Sequence, residues 1–156
     1  MVKEETKKIR FNYLESFHLP ARNRLKQFIL ELFKTEGIQV EGVNYIFCSD
    51  KYLLKINQDF LQHNTYTDII TFQYSAESEA VESDIYISVE RVRENAQAFR
   101  VSFKRELYRV IFHGALHLCG YKDKSARDGK VMREKEDYYV GLYVSRETKQ
   151  RRRSDI

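Results

Sequence analysis

Two histidines separated by four positions are the residues of this chain best suited to hold a metal ion. His113 and His117 stand in the string HGALHLCGYKD and make up half of the four histidines in the 156-residue chain. On an α-helix, side chains four positions apart are rotated by only about 40° and leave the same face one turn apart. The spacing therefore predicts a two-nitrogen clamp. A tetrahedral hydrolytic metal needs a third protein ligand and keeps its fourth position for water.

Asp123 is the candidate for the third ligand. Gly120 stands just past the predicted helix, where a glycine can take the left-handed conformation that reverses the chain. That reversal would bring Asp123 back beside the histidine face. Cys119 lies about 200° around the helix from His117, so we expect a small buried residue there. The alternative for the histidines is a solvated or core pair, but the glycine and the carboxylate favour a metal site.

The elements that must position these residues follow from the hydrophobic periodicity. Alternating or continuous runs of β-branched and aromatic residues predict four strands, over Ile9–Tyr13, Val43–Cys48, Ile69–Tyr74 and Ile85–Val89. Apolar residues at helical spacing predict five helices, from Pro20 to before Gly37, from Ser49 or Asp50 through Phe60, around 89–100, over Ser102–Leu118 and after Ser125. The polar, acidic residues Ser75–Ser83 are expected to connect the last two strands.

This order, β-α-β-α-β-β-α-α-α, predicts an α/β (α+β) fold with a four-stranded mixed sheet and about five surrounding helices. We expect a single metal-dependent hydrolase domain over 1–148 and a basic C-terminal tail over 149–156. The run Lys149–Arg153 in that tail could contact phosphates or act as a solubilising terminus. The histidine helix should be central and buried, because its apolar residues share one side: Leu107, Val110, Ile111, Ala115 and Leu118.

The composition is that of a folded protein, with 42% hydrophobic and 32% charged residues. No apolar stretch is long enough to span a bilayer and no signal peptide is visible, so we expect a cytoplasmic protein without membrane contact. Cys48 and Cys119 are then expected to be reduced. The net charge of +4 permits an anionic partner without identifying one. A monomer without a small-molecule organic cofactor is expected.

The residue after the first histidine separates classes of metal enzyme. Zinc peptidases with the motif His-Glu-x-x-His use that glutamate as general base, whereas this chain has Gly114, which argues against a peptidase. Two histidines and a carboxylate also suit a non-haem iron oxygenase. Ligands on one helix with a short return loop are, however, not the usual arrangement of such a centre.

The string His113–Tyr121, of the form HGxLHLxGY, resembles the signature of the YbeY family, bacterial metal-dependent endoribonucleases of ribosomal RNA maturation. Asn57–Phe72, ending in TDIITF, and Ser83–Ser88, SDIYIS, are similar to two further blocks of that family. The resemblance implies hydrolysis of phosphodiester bonds in single-stranded RNA by a metal-activated water, within ribosome biogenesis. It implies ribosomal RNA precursors or a ribosomal subunit as partners. It also implies one divalent metal ion, for which zinc is the expected identity.

The chain departs from the family pattern at four positions. Asp123 replaces the third histidine ligand, and Lys122 replaces the aspartate before it. Leu61 stands where the family has an arginine, and Tyr66 where it has a proline. An aspartate makes the metal site harder and less positive than three neutral imidazoles would. Phosphate contact by the missing arginine cannot be carried over, and His63 is only a weak candidate to replace it.

Basic residues that flank the site in sequence are the candidates for RNA binding. These are Lys104, Arg105 and Lys122, each of which could instead be a solvated surface charge. We interpret Asp68 and Asp84 as loop caps at strand ends rather than as support for a metal-bound histidine. The alternative function is a non-catalytic ribosome-assembly factor, in which the metal stabilises the return loop and the basic surface binds RNA.

Overall fold

A four-stranded mixed sheet lies at the centre of the computed structural model, which describes residues 2–63 and 65–154. The strand order is β1-β2-β4-β3. Strands β1, β2 and β4 are parallel, and the edge strand β3 runs antiparallel to β4. The strands span β1 (Ile9–Tyr13), β2 (Val40–Cys48), β3 (Ile69–Gln73) and β4 (Val81–Ser88).

Six helices surround the sheet in the part of the chain that the structure describes. They are α1 (Val2–Thr6), α2 (Arg22–Thr35), α3 (Asp50–Leu61), α4 (Val89–Phe99), α5 (Phe103–Leu118) and α6 (Ala126–Ser154). The predicted α+β class with a four-stranded mixed sheet is confirmed. Helix α1 was not predicted, because its five residues, VKEET, are too few and too polar to show an apolar period. Helix α6 continues without a break through residues 149–154 of the predicted tail 149–156, whose last two residues lie outside the described part of the chain.

Helix α5 is the central helix of the core, as its apolar pattern predicts. Ten of its 16 residues are buried. On its sheet side, the hydroxyl of Tyr45 in β2 donates to the carbonyl of Ile111 at 2.9 Å. On its other side, the Phe112 ring packs against Phe28 of α2 and Tyr143 of α6. Because α5 is held on both sides, its backbone is a rigid support for side chains that must keep a fixed geometry.

Gly114 allows α5 to approach the sheet closely. A Cβ atom at this position would lie 3.0 Å from the Cδ1 atom of Ile69 and 3.1 Å from that of Ile85. Such contacts are tighter than ordinary van der Waals separations between carbon atoms. The residue directly after the first histidine therefore faces the sheet and not the histidine side of the helix.

Strand β4 begins at Val81, earlier than the predicted Ile85. Its inward residues alternate as Val81, Ser83, Ile85 and Ile87, and a serine at the second of these positions interrupts the apolar pattern. The buried hydroxyl of Ser83 has a hydrogen-bond partner, since it donates to the carbonyl oxygen of Phe72 at 2.6 Å. The predicted connection over Ser75–Ser83 is therefore too long.

Asp84 lies within β4 and not at a strand end. Its carboxylate accepts a hydrogen bond from Asn44 Nδ2 at 3.0 Å and another from the Tyr74 hydroxyl at 2.9 Å. The interpretation of Asp84 as a loop cap is wrong, because the strand starts three residues before it. Its side chain instead links β4 to β2 and to the residue that follows β3.

Candidate metal centre

The two histidines lie one turn apart near the C-terminal end of α5. The side chain of Ser102 caps the start of this helix by accepting a hydrogen bond from the Arg105 backbone N–H at 3.0 Å. The imidazole rings of His113 and His117 meet edge to face, with centroids 4.6 Å apart. His117 also lines an open cleft together with Gln73 of β3. The clamp therefore stands beside the edge strand of the sheet.

Gly120 reverses the chain directly after α5. Its φ of +99° lies in the left-handed region, which glycine adopts at little cost. The backbone N–H of Gly120 donates to the carbonyl of His117 at 3.0 Å, and that of Tyr121 donates to Leu116 at 3.1 Å. These bonds satisfy carbonyls that the helix end leaves open. The reversal brings Asp123 back to the histidine face.

The donor atoms of His113, His117 and Asp123 converge. The Oδ2 atom of Asp123 lies 3.3 Å from Nε2 of His113 and 3.3 Å from Nε2 of His117. All three donor atoms lie within 4.8 Å of one another. Ligands held about 2.0–2.1 Å from a tetrahedral zinc ion are separated by about 3.3–3.4 Å. The two distances to Asp123 match this separation, and the three side chains form a group that could hold a divalent ion.

The exposure of the cluster decides whether water or substrate can reach an ion held there. The side chains of His113, His117 and Asp123 are 13%, 31% and 40% exposed. The cluster is thus anchored on its helix side and open on its aspartate side. An open coordination position is what distinguishes a catalytic metal site from a closed structural one.

Cys119 takes no part in this cluster, as its position on the helix predicts. It is the last residue before the chain reversal and packs against the core, partly buried and not fully buried as expected. Burial, and then the nearby Glu36 carboxylate, raises the pKa of the Cys119 thiol to about 12. The thiolate that a metal would need is therefore disfavoured.

Glu136 of α6 contacts the candidate site and was not predicted from the sequence. Its Oε2 atom lies 2.5 Å from Nδ1 of His113, and the residue is only 5% exposed. A carboxylate can only accept a hydrogen bond, so a neutral His113 in this contact carries its proton on Nδ1 and directs the lone pair of Nε2 to the cluster. A signal was present, since Glu136 occupies the buried face of α6 between Met132 and Tyr139, where an acid is out of place.

Arg109 connects this glutamate to two further acids. Its Nη1 atom donates to the Glu136 carboxylate at 3.3 Å, and its Nε and Nη2 atoms donate to Glu106 at 2.7 Å. Burial works against the charged guanidinium, but the hydrogen bonds and charge of Glu106 outweigh it and raise the pKa of Arg109. Asp68 accepts from Arg109 at 3.4 Å and from Asn95 at 3.3 Å. The side chain of Asp68 thus belongs to this network, and its interpretation as a loop cap is wrong.

A second polar cluster holds the return loop. The Tyr121 hydroxyl donates to the carboxylate of Glu36, which follows α2, at 2.6 Å. Tyr139 donates to the same carboxylate, and Lys135 Nζ lies 3.2 Å from it. Burial tends to raise the pKa of Glu36, but the hydrogen bonds from Tyr121, Tyr139 and Lys135 lower it overall. Tyr121, two positions before Asp123, is therefore connected through Glu36 to the end of α2 and to α6.

Glu36→Gln is expected to lower stability at neutral pH more than in acid. The pKa of Glu36 is lowered from 4.5, so its contribution is complete above about pH 4.5 and is lost as the pH falls through the lowered pKa. The Tm difference from wild type, followed by circular dichroism from pH 7 to pH 3, should shrink below about pH 4.5. Glu31→Gln, which breaks an exposed pair with Arg146, is the matched control and should change Tm less. An equal Tm difference at pH 7 and pH 3 would contradict this role of Glu36.

The predicted RNA-binding residues fall into two places. Lys122 borders the same cleft as His117. Lys104 and Arg105 lie in the first turn of α5, about 18–20 Å from His117 at 1.5 Å per residue. The structure therefore brings Lys122, but not Lys104 or Arg105, to the metal-ligand cluster.

The positions that depart from the family pattern at the end of α3 and in the connection to β3 are exposed. Leu61 and Tyr66 are 41% and 56% exposed, and His63 is exposed as well. The guanidinium of Arg91 lies 5.1 Å from the centroid of the Tyr66 ring. His63 is not among the residues whose donor atoms converge on the metal-ligand cluster.

Comparison with known proteins identifies the family. The profile of the family Endoribonuclease YbeY matches residues 4–143. The Endoribonuclease YbeY of Flavobacterium psychrophilum is 48% identical over 135 residues, which cover 86% of this chain and 96% of that protein. The protein of the same name from Porphyromonas gingivalis strain W83 is 46% identical over 143 residues, covering 90% and 92%.

A solved structure has the same fold. The solution structure of TM1509 from Thermotoga maritima matches with a TM-score of 0.67 and 31% sequence identity, over 91% of this chain and 93% of that one. Among the described residues, no helix is both long and apolar enough to cross a bilayer. The resemblance noted in the histidine string is confirmed by these matches, and the chain belongs to the Endoribonuclease YbeY family.

Proposed function

We propose that this protein is a metal-dependent endoribonuclease that cleaves single-stranded RNA in ribosomal RNA precursors, with His113, His117 and Asp123 as its metal ligands. The observation that carries the proposal is the convergence of the three donor atoms, with Asp123 Oδ2 at 3.3 Å from both imidazoles. A bound divalent ion, for which zinc suits the donor set, supplies Lewis-acid catalysis and makes water a nucleophile near neutral pH. We further propose that the protein acts as a cytoplasmic monomer on precursor RNA or a ribosomal subunit.

The surrounding side chains have distinct tasks in this proposal. Glu136 fixes the tautomer and orientation of His113 through the contact at Nδ1. Tyr121 and Glu36 fix the loop that carries the third ligand. Lys122, beside the histidine cleft, places a positive charge where the RNA phosphate must approach.

The second candidate is a non-catalytic, metal-stabilised RNA-binding assembly factor. The placement of Lys104 and Arg105 favours it, because these basic residues lie at the opposite end of α5 from His117. A protein that only binds RNA needs no contact between its basic surface and its metal site. The two functions differ in whether a bond in the RNA is broken.

The deciding experiment is cleavage of labelled single-stranded RNA by purified protein. Cleavage should stop with chelator and return with zinc or manganese, because the nucleophilic water depends on the ion. Asp123→Ala should reduce the rate at least about 100-fold while retaining salt-dependent RNA binding. Asp137→Ala, an exposed acid near Asp123 but outside the cluster, is the matched control and should stay active. Equal cleavage by wild type and Asp123→Ala would assign the activity to another site or a contaminant and favour the assembly factor.

A further inference from the structure

A basic cleft lies at the end of the molecule where α5 begins and α6 ends. Its volume is about 170 Å³, and its charged lining consists of Lys104 and Arg105 from α5 with Glu147 and Arg151 from α6. Helix α6 reaches this place because it continues as a helix through residues 149–154. Arg151 therefore has a fixed place beside the first turn of α5.

The positive charge of this cleft exceeds its negative charge. The buried carboxylate of Glu147 is the acid of the cleft, and it lies 3.0 Å from Lys104 Nζ and 3.6 Å from Arg24 Nη2. Two cations thus already compensate its charge. Arg105 and Arg151 are exposed, and no carboxylate in residues 2–63 and 65–154 forms an ion pair with either guanidinium. Two uncompensated guanidinium groups therefore face solvent at one cleft.

We propose that this basic cleft binds phosphates of the RNA backbone, at a site separate from the metal-ligand cluster. Guanidinium groups match phosphate geometry with two parallel hydrogen bonds, and their charge attracts a polyanion without sequence preference. The proposal rests on the proposed function, since it takes RNA as the substrate that reaches both sites. Arg105 and Arg151 are the residues that contact the phosphates, while the pair of Lys104 and Glu147 maintains the cleft.

The distance between the two sites sets a length requirement on the RNA. Arg105 and His117 are 12 positions apart on α5, which is about 18 Å along the helix. Because 12 positions also rotate the side chain by about 120° around the helix, this rise is the minimum separation. Stacked nucleotides of one strand advance about 3.4 Å each, so at least about five nucleotides separate phosphates at the two sites. An RNA of four nucleotides can occupy the metal site alone. A longer RNA gains the second contact.

The test compares the double variant R105A/R151A with K51A/K55A, which removes the same charge from exposed positions on α3. Binding of a labelled 20-nucleotide RNA is measured by fluorescence anisotropy at several salt concentrations. A chelator keeps the protein metal-free, so that the RNA is not cleaved during the measurement. Loss of two phosphate contacts should reduce the slope of log Kd against log salt by about 1.4, at about 0.7 per contact for single strands. R105K/R151K should recover most of the slope, because the charges are restored.

Cleavage supplies a second readout. The ratio of kcat/KM for 20-nucleotide RNA to that for four-nucleotide RNA should fall about tenfold in R105A/R151A and stay unchanged in K51A/K55A. A wild-type slope in R105A/R151A, or an equal loss in the α3 control, would overturn the proposal. Binding of labelled polyglutamate is measured in the same anisotropy assay. If R105A/R151A loses polyglutamate binding but keeps RNA binding, the proposal is also overturned, since the occupant would then be an acidic protein. If wild type never cleaves RNA but R105A/R151A still reduces the salt slope of RNA binding, the cleft is supported and the proposed function is contradicted.

Discussion

His117→Ala is expected to abolish both metal binding and RNA cleavage while leaving a cooperatively folded protein. The substitution removes one of three converging donors, and two remaining ligands hold a divalent ion far more weakly. Cleavage should fall by at least about a thousandfold, since the ion supplies the nucleophile. The fold should persist because the hydrophobic core cluster around α5 does not include the His117 imidazole.

Three measurements check this expectation. Calorimetric titration with zinc reports binding, a chelator-controlled assay reports cleavage, and thermal circular dichroism reports the unfolding transition. His18→Ala removes an exposed histidine outside the metal-ligand cluster and should match wild type in all three. If His117→Ala is unfolded at room temperature, the site is structural and the assembly-factor function becomes the better account.

Glu136→Ala is expected to weaken metal binding about 10- to 100-fold, although the residue is not a ligand. Without its carboxylate, the His113 ring loses the contact that fixes its tautomer and orientation. The same change removes one of the three acids that form ion pairs with the Arg109 guanidinium. The ion pairs of Arg109 with Glu106 and Asp68 remain. Breaking part of a buried ion network costs about 3 kcal/mol, so the Tm should fall as well.

The two effects of Glu136→Ala can be separated. Zinc titration well below the Tm measures the zinc affinity of the folded protein. Urea unfolding of the metal-free protein measures its free energy of unfolding. Glu134→Ala, an exposed acid on the same helix, is the matched control and should leave both nearly unchanged. Full zinc affinity in folded Glu136→Ala protein would show that His113 is oriented by its helix alone.

The features that the sequence predicts well are those that local chemistry determines. The clamp of His113 and His117 depends on helical spacing, and the return of Asp123 depends on one left-handed glycine, all within eleven residues. The start of β4 was predicted too late because Ser83 interrupts an apolar alternation, and only the pairing with neighbouring strands reveals its position.

The support of the site could not be predicted, because it depends on how distant helices pack. Glu136 stands 23 positions from His113, and Glu36 stands 85 positions from Tyr121. Hydrophobic periodicity does not predict that an acid of α6 contacts the first histidine. It also does not predict that the end of α2 contacts the return loop. An acid on a buried helix face does indicate a buried partner, but it does not identify that partner.

The close approach of α5 to the sheet at Gly114 has an evolutionary consequence. In His-Glu-x-x-His peptidases the residue after the first histidine carries the base, whereas here that direction leads into the methyl groups of Ile69 and Ile85. A carboxylate introduced at position 114 would be buried against these methyl groups, where an unpaired charge is costly. Gly114→Glu would therefore complete the string His-Glu-x-x-His without giving the histidine pair a carboxylate on its open side. The orientation of one helix on one sheet separates two families of hydrolase that share the same ligand spacing.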